Sequence, residues 1–172
     1  MYNLLMMKNI KFAEVKNGEM IKEVVLLADI IWRKHYIPIV GQDQVDYMLE
    51  KFQSVEAITR QIQDDYHYYL IGDDANSYIG YFCVLIQGDK LFLNKIYLKL
   101  HVRGKGLGRE TLNFIEEIAK SSNCSRVWLT VNKNNLDSIK VYQKCGYTMM
   151  GPYVQDIGQG FVMDDYELEK VL

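Results

Sequence analysis

The stretch that most constrains this chain runs from Leu91 to Arg109. There an apolar, strand-like segment, LFLNKIYLKL, passes through His101 and Val102 into Arg103-Gly104-Lys105-Gly106-Leu107-Gly108-Arg109. A helical pattern, TLNFIEEIAK, follows at once. A strand therefore ends in a glycine loop that opens a helix, and the first N–H groups of a helix have no intrahelical partners. Glycines at alternate positions let phosphate oxygens reach those amides, because no side chain stands in the way. Lys105 and Arg109 add positive charge beside them. The spacing is neither the G-x-G-x-x-G of dinucleotide sites nor the G-x-x-x-x-G-K-[ST] of ATP and GTP sites, which disfavours a nucleotide-binding protein.

A second stretch lies one helix length further on. Arg126 to Val131, RVWLTV, reads as a buried strand from its branched and aromatic residues, and Asn132 to Tyr147, NKNNLDSIKVYQKCGY, follows it. Together the two stretches resemble the GCN5-related N-acetyltransferases. Arg103-x-x-Gly106-x-Gly108 is similar to that family's Gln/Arg-x-x-Gly-x-Gly/Ala pyrophosphate loop. Asn135, Ser138, Tyr142, Gly146 and Tyr147 stand where the family carries Asn-x-x-Ala, a Tyr seven residues after the Asn, and Gly-Phe. The resemblance is strongest from Asp73 to Leu172, and the pattern from IWRKHYIP to GFVMDDYELEK leans toward the bacterial spermidine/spermine acetyltransferase branch.

That resemblance implies an α/β fold with a mixed antiparallel and parallel central sheet flanked by helices, whose two central parallel strands splay apart to admit acyl-CoA. On this chain those strands are expected at Leu91 to Leu100 and Arg126 to Val131. It also implies acetyl-CoA as co-substrate, bound along Ile96, Tyr97 and Leu98, by Arg103, Gly104, Lys105, Gly106, Leu107, Gly108 and Arg109, and by Asn135, Ser138, Tyr142 and Lys144. Tyr142 would act as general acid toward the CoA sulfur, since a phenol with an ordinary pKa of about 10 keeps its proton at neutral pH. The oxyanion would be held by the backbone N–H of Tyr97 or Leu98.

Removing a proton from the amine is where the chain departs from its relatives. Many of them carry a glutamate just before the Ile-Tyr-Ile segment of the first splayed strand, and here Asn94 occupies that place. An amide is no base. The expected base is a water chain held by Asn94, with a carboxylate from Asp164 or Asp165, or His35, as the alternatives. Glu110, Glu116 and Glu117 read as solvated surface. Trp32, His35, Tyr36, Tyr47 and Phe52 gather near the turn at Pro38, which in the family lies over the acceptor end of the cleft. The resemblance thus implies an N-acetyltransferase acting on a small-molecule or peptide amine; a catalytically weak acyl-CoA sensor is the alternative, supported by Asn94 and opposed by Tyr142.

At 172 residues the chain has the size of one domain, and 49% hydrophobic with 24% charged residues is ordinary for a globular protein. A net charge of -2 argues against a sequence-independent nucleic-acid binder, which needs clustered Lys and Arg. No membrane association is expected, because the apolar run Val24 to Trp32 is short and interrupted by Asp29. MYNLLMMKNIKF lacks the features of a signal peptide, so a cytoplasmic location is expected. A homodimer is left open. Cys83, Cys124 and Cys145 have no CxxC spacing, and His35, His67 and His101 are scattered, so reduced packing thiols and no metal are expected.

Hydrophobic periodicity predicts a strand at Ile10 to Val15, a helix from Met20 to His35 ended at Pro38, and one further helix from Asp43 to about Gln63. Strands at Tyr66 to Gly72 and Ser77 to Gln87 form a meander with the Leu91 strand. After the loop come a helix at Leu107 to Ser122, the Arg126 strand, a helix at Asn135 to Lys144, and strands at Tyr147 to Gly151 and Gly160 to Glu169.

Overall fold

A computed structural model describes residues 10–75 and 77–172. The opening MYNLLMMKN, on which part of the signal-peptide expectation rests, lies outside the described residues, as does Asn76. The chain folds as β1 (Lys11–Glu14), α1 (Gly18–Val40), α2 (Gln42–Gln53), α3 (Val55–Gln63), β2 (His67–Gly72), β3 (Tyr78–Gln87) and β4 (Lys90–Leu98). A short 3₁₀ turn at Leu100–Val102 leads into α4 (Leu107–Ser121), β5 (Arg126–Asn132), α5 (Leu136–Lys144), β6 (Thr148–Gly158) and β7 (Phe161–Val171). The seven strands form one sheet in the order β1-β2-β3-β4-β5-β7-β6. Among the described residues only β4 and β5 pair in parallel; every other neighbouring pair is antiparallel. The mixed α/β sheet expected from the sequence is present.

Alternation along the strands gives the sheet two apolar faces. On one face Phe82, Leu91, Leu93 and Leu129 pack with Leu112 and Ile115 of α4 and Ile139 of α5. On the other, Tyr68, Leu70 and Tyr81 pack with Val24 and Ala28 of α1, Val45 of α2 and Ile58 of α3. The sheet is therefore a middle layer between the three N-terminal helices and the two later ones.

Several boundaries differ from the sequence expectations. Pro38 does not end α1: the helix runs on to Val40 and stops at Gly41, whose φ of 87° lets its N–H return to the Ile37 carbonyl at 3.0 Å. So near the C-terminus, proline costs the helix little more than one bond. The single helix expected over Asp43 to Gln63 is two, divided at Ser54, whose extended backbone and Oγ cap the N–H of Ala57. Strands β6 and β7 are longer than periodicity suggested, because they pair as a long antiparallel hairpin from Thr148↔Glu169 to Gly158↔Phe161. Glu116 is no surface residue. It is buried on α4 and paired with Lys170 at 2.7 Å.

What matters for function is where β4 and β5 part. They are in register from Lys90↔Arg126 to Leu93↔Leu129 and no further. At that point the β3–β4 ladder is also irregular: Val84 faces Leu93 and Cys83 faces Lys95, so Asn94 is the extra residue of a β-bulge. Beyond it β4 stays bound to β3 and leaves β5, which opens the sheet along Asn94 to Leu98. Gly80 makes the β3 contact close enough, since a Cβ there would stand 2.2 Å from the Tyr97 carbonyl oxygen and 2.8 Å from Leu98 Cδ2. Gly80→Ala is therefore expected to force β4 off β3 and to cost about 1–3 kcal/mol or more, read as a lower urea midpoint at unchanged slope.

Candidate active site

The opening between β4 and β5 is the mouth of a cavity of about 1490 Å³ that passes through the sheet. The glycine loop and α5 border one end, and α1, α2 and α3 the other. Most residues singled out in the sequence lie along it: Asn94, Ile96, Tyr97 and Leu98 on β4; Arg103, Gly104, Gly106, Gly108 and Arg109 at the loop; Asn135, Ser138, Tyr142 and Lys144 on or before α5. Lys105 and Leu107 do not line it. Lys105 is exposed, and the Leu107 side chain is buried in the α4 core.

At the loop, Gly104 and Gly106 have φ of 75° and 84°, and Gly106 is the N-cap of α4 with no side chain capping the helix. Glycine at these two positions answers a backbone requirement. Gly108 lies inside the helix, and a Cβ there would meet nothing within 4 Å. The protein itself thus leaves the space over the first turn of α4 empty, beside uncapped N–H groups, as an anion site at a helix N-terminus requires. The Arg103 side chain is turned away from this space: its Nε donates to the Leu98 carbonyl at 2.9 Å and its Nη1 lies 3.3 Å from His35 Nδ1. It ties the loop to β4.

The free edge of β4 has a defined polarity. Lys99 donates its N–H to the Ile79 carbonyl at 2.8 Å, and N–H direction alternates along an antiparallel ladder. The N–H of Tyr97 therefore points to β3, whereas those of Ile96 and Leu98 point into the opening. Of the two amides expected to hold the oxyanion, that of Leu98 faces the opening and that of Tyr97 does not. The Tyr97 side chain packs instead on the α1 face, tilted against Trp32 with ring centroids 5.3 Å apart, its hydroxyl 3.1 Å from that of Tyr36.

Tyr142 reaches the cavity from α5, with its ring edge-on to Tyr147 at 5.7 Å. Burial, with lesser contributions from Tyr36 and Cys145, pushes its phenol well above the ordinary range, so the proton is always present at neutral pH. Burial likewise pushes Tyr36 up to about 12. Asn135 is buried but caps nothing at the start of α5; its side chain engages His35.

The alternatives for a base separate in the structure. Asp164 is half-exposed and salt-bridged to Lys133 at 2.5 Å. His35 is pushed down by burial and by Arg103, so it is neutral; because a guanidinium only donates, Nδ1 accepts and the proton sits on Nε2. That ring is held between Arg103 and Asn135. The Asn94 carboxamide oxygen accepts from Lys95. Asp165, opposite Asn132 on β7, is 4% exposed and lines the cavity. Burial raises its pKa from 3.8 to about 6, offset in part by a hydrogen bond from Thr130.

Residues that sequence reading passed over also line the cavity, chiefly Lys95, Arg60, Gln61 and Thr130. The one visible signal was Lys95, a lysine inside an apolar strand. Among the described residues no group of three or more His, Cys, Asp or Glu could hold a metal ion, and no helix is long and apolar enough to cross a membrane.

The sequence matches the model of the Acetyltransferase (GNAT) family over residues 27–147. The spermine/spermidine N(1)-acetyltransferase of Bacillus subtilis (strain 168) is 30% identical over 66 residues, 38% of this chain and 43% of that protein. The chain thus spans less than half the length of the curated relatives it matches. Among solved structures, PaiA N-acetyltransferase from Thermoplasma acidophilum in complex with coenzyme A superposes with a TM-score of 0.79 at 21% identity, covering 95% of this chain and 99% of that one. A spermidine N-acetyltransferase SpeG chimera from Vibrio cholerae and hSSAT gives 0.69 at 16% identity, covering 94% and 95%. At these identities the likeness is one of fold.

The raised Asp165 makes a prediction independent of ligands. A carboxyl whose folded pKa exceeds its unfolded value favours folding most below the unfolded value and loses that contribution as pH rises through the folded one. Relative to Asp165→Asn, the wild-type protein should therefore lose thermal stability between pH 4 and about 6 and lag behind it above. Melting curves of the two proteins across that range check this.

Proposed function

The chain belongs to the acetyltransferase (GNAT) family, and from that premise we propose that it transfers an acetyl group from acetyl-CoA to a primary amine by direct attack within a ternary complex. The observation that carries this reading is the geometry of the gap. An unpaired β4 edge, an uncapped glycine-opened helix and a buried phenol surround one cavity that passes through the sheet. Acetyl-CoA fits the residues on the α4 and α5 side. Its pyrophosphate would rest on the first amides of α4 over Gly106 and Gly108, its pantetheine would run along the free edge of β4 with Asn135 and Ser138 opposite, and its thioester would come to Tyr142. Lys144 and Arg109, exposed at the rim, suit the remaining phosphate.

The amine would enter from the α1, α2 and α3 side, where Asp165 faces the cavity. A base near neutrality is what an ammonium acceptor needs, and the buried carboxyl supplies it. Once Asp165 has taken a proton, the amine nitrogen attacks the thioester carbonyl carbon. The oxyanion accepts from the Leu98 N–H, the carbon–sulfur bond breaks, the leaving thiolate takes its proton from Tyr142, and the attacking nitrogen gives its second proton to solvent in the opening. The acetylated amine and CoA leave, and solvent restores both proton carriers. Two curated relatives are named for spermine or spermidine, which supports a small primary amine as the acceptor. The alternative of a weak acyl-CoA sensor is opposed by the presence of both an acid and a base in one cavity.

Three variants separate these roles. Gly108→Val fills space the protein leaves empty, so it should fold with an unchanged melting temperature yet lose at least tenfold in acetyl-CoA affinity by calorimetry; unchanged affinity would remove the loop from the site. Tyr142→Phe should lower kcat roughly 100-fold with little change in KM for acetyl-CoA, near the low end for general acids because so weakly acidic a phenol has little driving force. In the wild type, kcat/KM for the amine should rise with pH through about 6. Asp165→Asn should lose that limb along with most of the rate, and a limb that survives the substitution would reassign the base.

A further inference from the structure

The acceptor side of the cavity holds a buried cation that acetyl transfer, as drawn above, does not use. Side chains alternate along β4, so Lys95 and Tyr97 turn to the α1–α3 face while Ile96 turns to the face that carries α4 and α5. Lys95 is 8% exposed and lines the cavity. Its Nζ donates to Gln61 Oε1 at 3.0 Å and to Asn94 Oδ1, and lies 5.4 Å from the centre of the Tyr68 ring. Neutral oxygens and an aromatic face surround it; no carboxylate among the described residues pairs with it.

Two other buried charges in the protein, both carboxylates, are paired. Glu116 has Lys170 at 2.7 Å, and Glu169 has Arg126 at 2.9 Å. An ammonium out of water without an anion is costly, and burial accordingly pushes Lys95 below its ordinary pKa. The surroundings compound the imbalance. Lys51 of α2 and Arg60 of α3 line the same cavity, whereas its lining carboxylates are Asp165 and, in the first turn of α5, Asp137. A polyamine entering from this side would bring several positive charges toward Lys51, Arg60 and Lys95, with Asp165 as the carboxylate to meet them. An amine that also carries a negative group would meet an anion and a cation of opposite sign to its own.

We propose that the acceptor is an amino carboxylate, a primary amine whose carbon frame also bears a carboxylate, and that Lys95 binds this carboxylate at the bulge while the amine faces the opening. The proposal rests on the acetyl-transfer reading and adds the substrate class. It makes Lys95 a specificity residue, with Arg60 reinforcing it at the rim.

The test uses matched pairs. CoA thiol release is followed with the twenty amino acids, ornithine and 4-aminobutyrate, with the amines that their decarboxylation yields, and with spermidine and spermine. The preferred acceptor should be a carboxylate-bearing amine, favoured at least tenfold in kcat/KM over its decarboxylated partner. Lys95→Met should erase that ratio chiefly through KM, and its melting temperature should not fall, because an unpaired buried charge has been removed. Arg60→Glu, at an exposed position on α3, should reduce the ratio severalfold without touching the buried shell. Preference for polyamines or decarboxylated amines, a ratio that Lys95→Met and Arg60→Glu leave unchanged, or no carboxylate-dependent turnover in an enzyme that binds acetyl-CoA would each overturn the proposal. Absence of acetyl-CoA binding by calorimetry would instead overturn the acetyl-transfer reading beneath it.

Discussion

The structure depends on one withheld set of hydrogen bonds. Strands β4 and β5 pair for four residues and then separate at the Asn94 bulge, leaving the edge of β4 from Asn94 to Leu98 without a partner in the middle of the sheet. Unpaired backbone inside a protein is costly, and a sheet interior is where it is least tolerated. The surrounding structure compensates by holding β4 firmly from its other side, where Gly80 permits close contact, and by tying the Leu98 carbonyl to Arg103. The edge is thereby kept open for a ligand that can supply the missing bonds.

Everything chemical is placed by that gap. The loop after β4 and the start of α5 lie on one face of the sheet, and α1, α2 and α3 lie on the other, so in the proposed reaction the two reactants meet through the opening. Asp165 and Tyr142 reach it from β7 and α5. Their environments set different protonation states at neutral pH: a carboxyl at about 6 is largely ionised and a buried phenol remains protonated, as the proposed base and acid require. Lys95, immediately after the bulged residue, lies at the vertex of the opening, where in the proposed reading it would meet the group that accompanies the amine.

Much of this was legible in the sequence wherever a residue type answers a local requirement. Gly104 and Gly106 needed positive φ, and the apolar runs announced each strand of the sheet, so the loop and the strands could be read from the residues themselves, whereas Tyr142 was singled out by the resemblance to the acetyltransferases. Features that depend on register could not. Asp164 and Asp165 are neighbours of the same type, and only the pairing of β7 with β5 and β6 decides that one meets Lys133 in solvent and the other is buried in the cavity. Tyr97 and Leu98 differ by the phase of the ladder. The face to which Lys95 turns was hidden for a similar reason, because an unseen bulge directs it toward Gln61 and Tyr68. Glu116 looked solvated because its partner, Lys170, is far away in sequence.

Direct transfer across the gap is the central claim, and a single-turnover experiment tests it most directly. Enzyme in excess is mixed with acetyl-CoA labelled in the acetyl group and an accepted amine, quenched at intervals, and separated into protein and small molecules. The label should move from acetyl-CoA to the amine at the rate at which CoA appears, with none bound covalently to protein. Labelled protein that forms and decays on that time scale, or CoA released without acetylated amine, would contradict it.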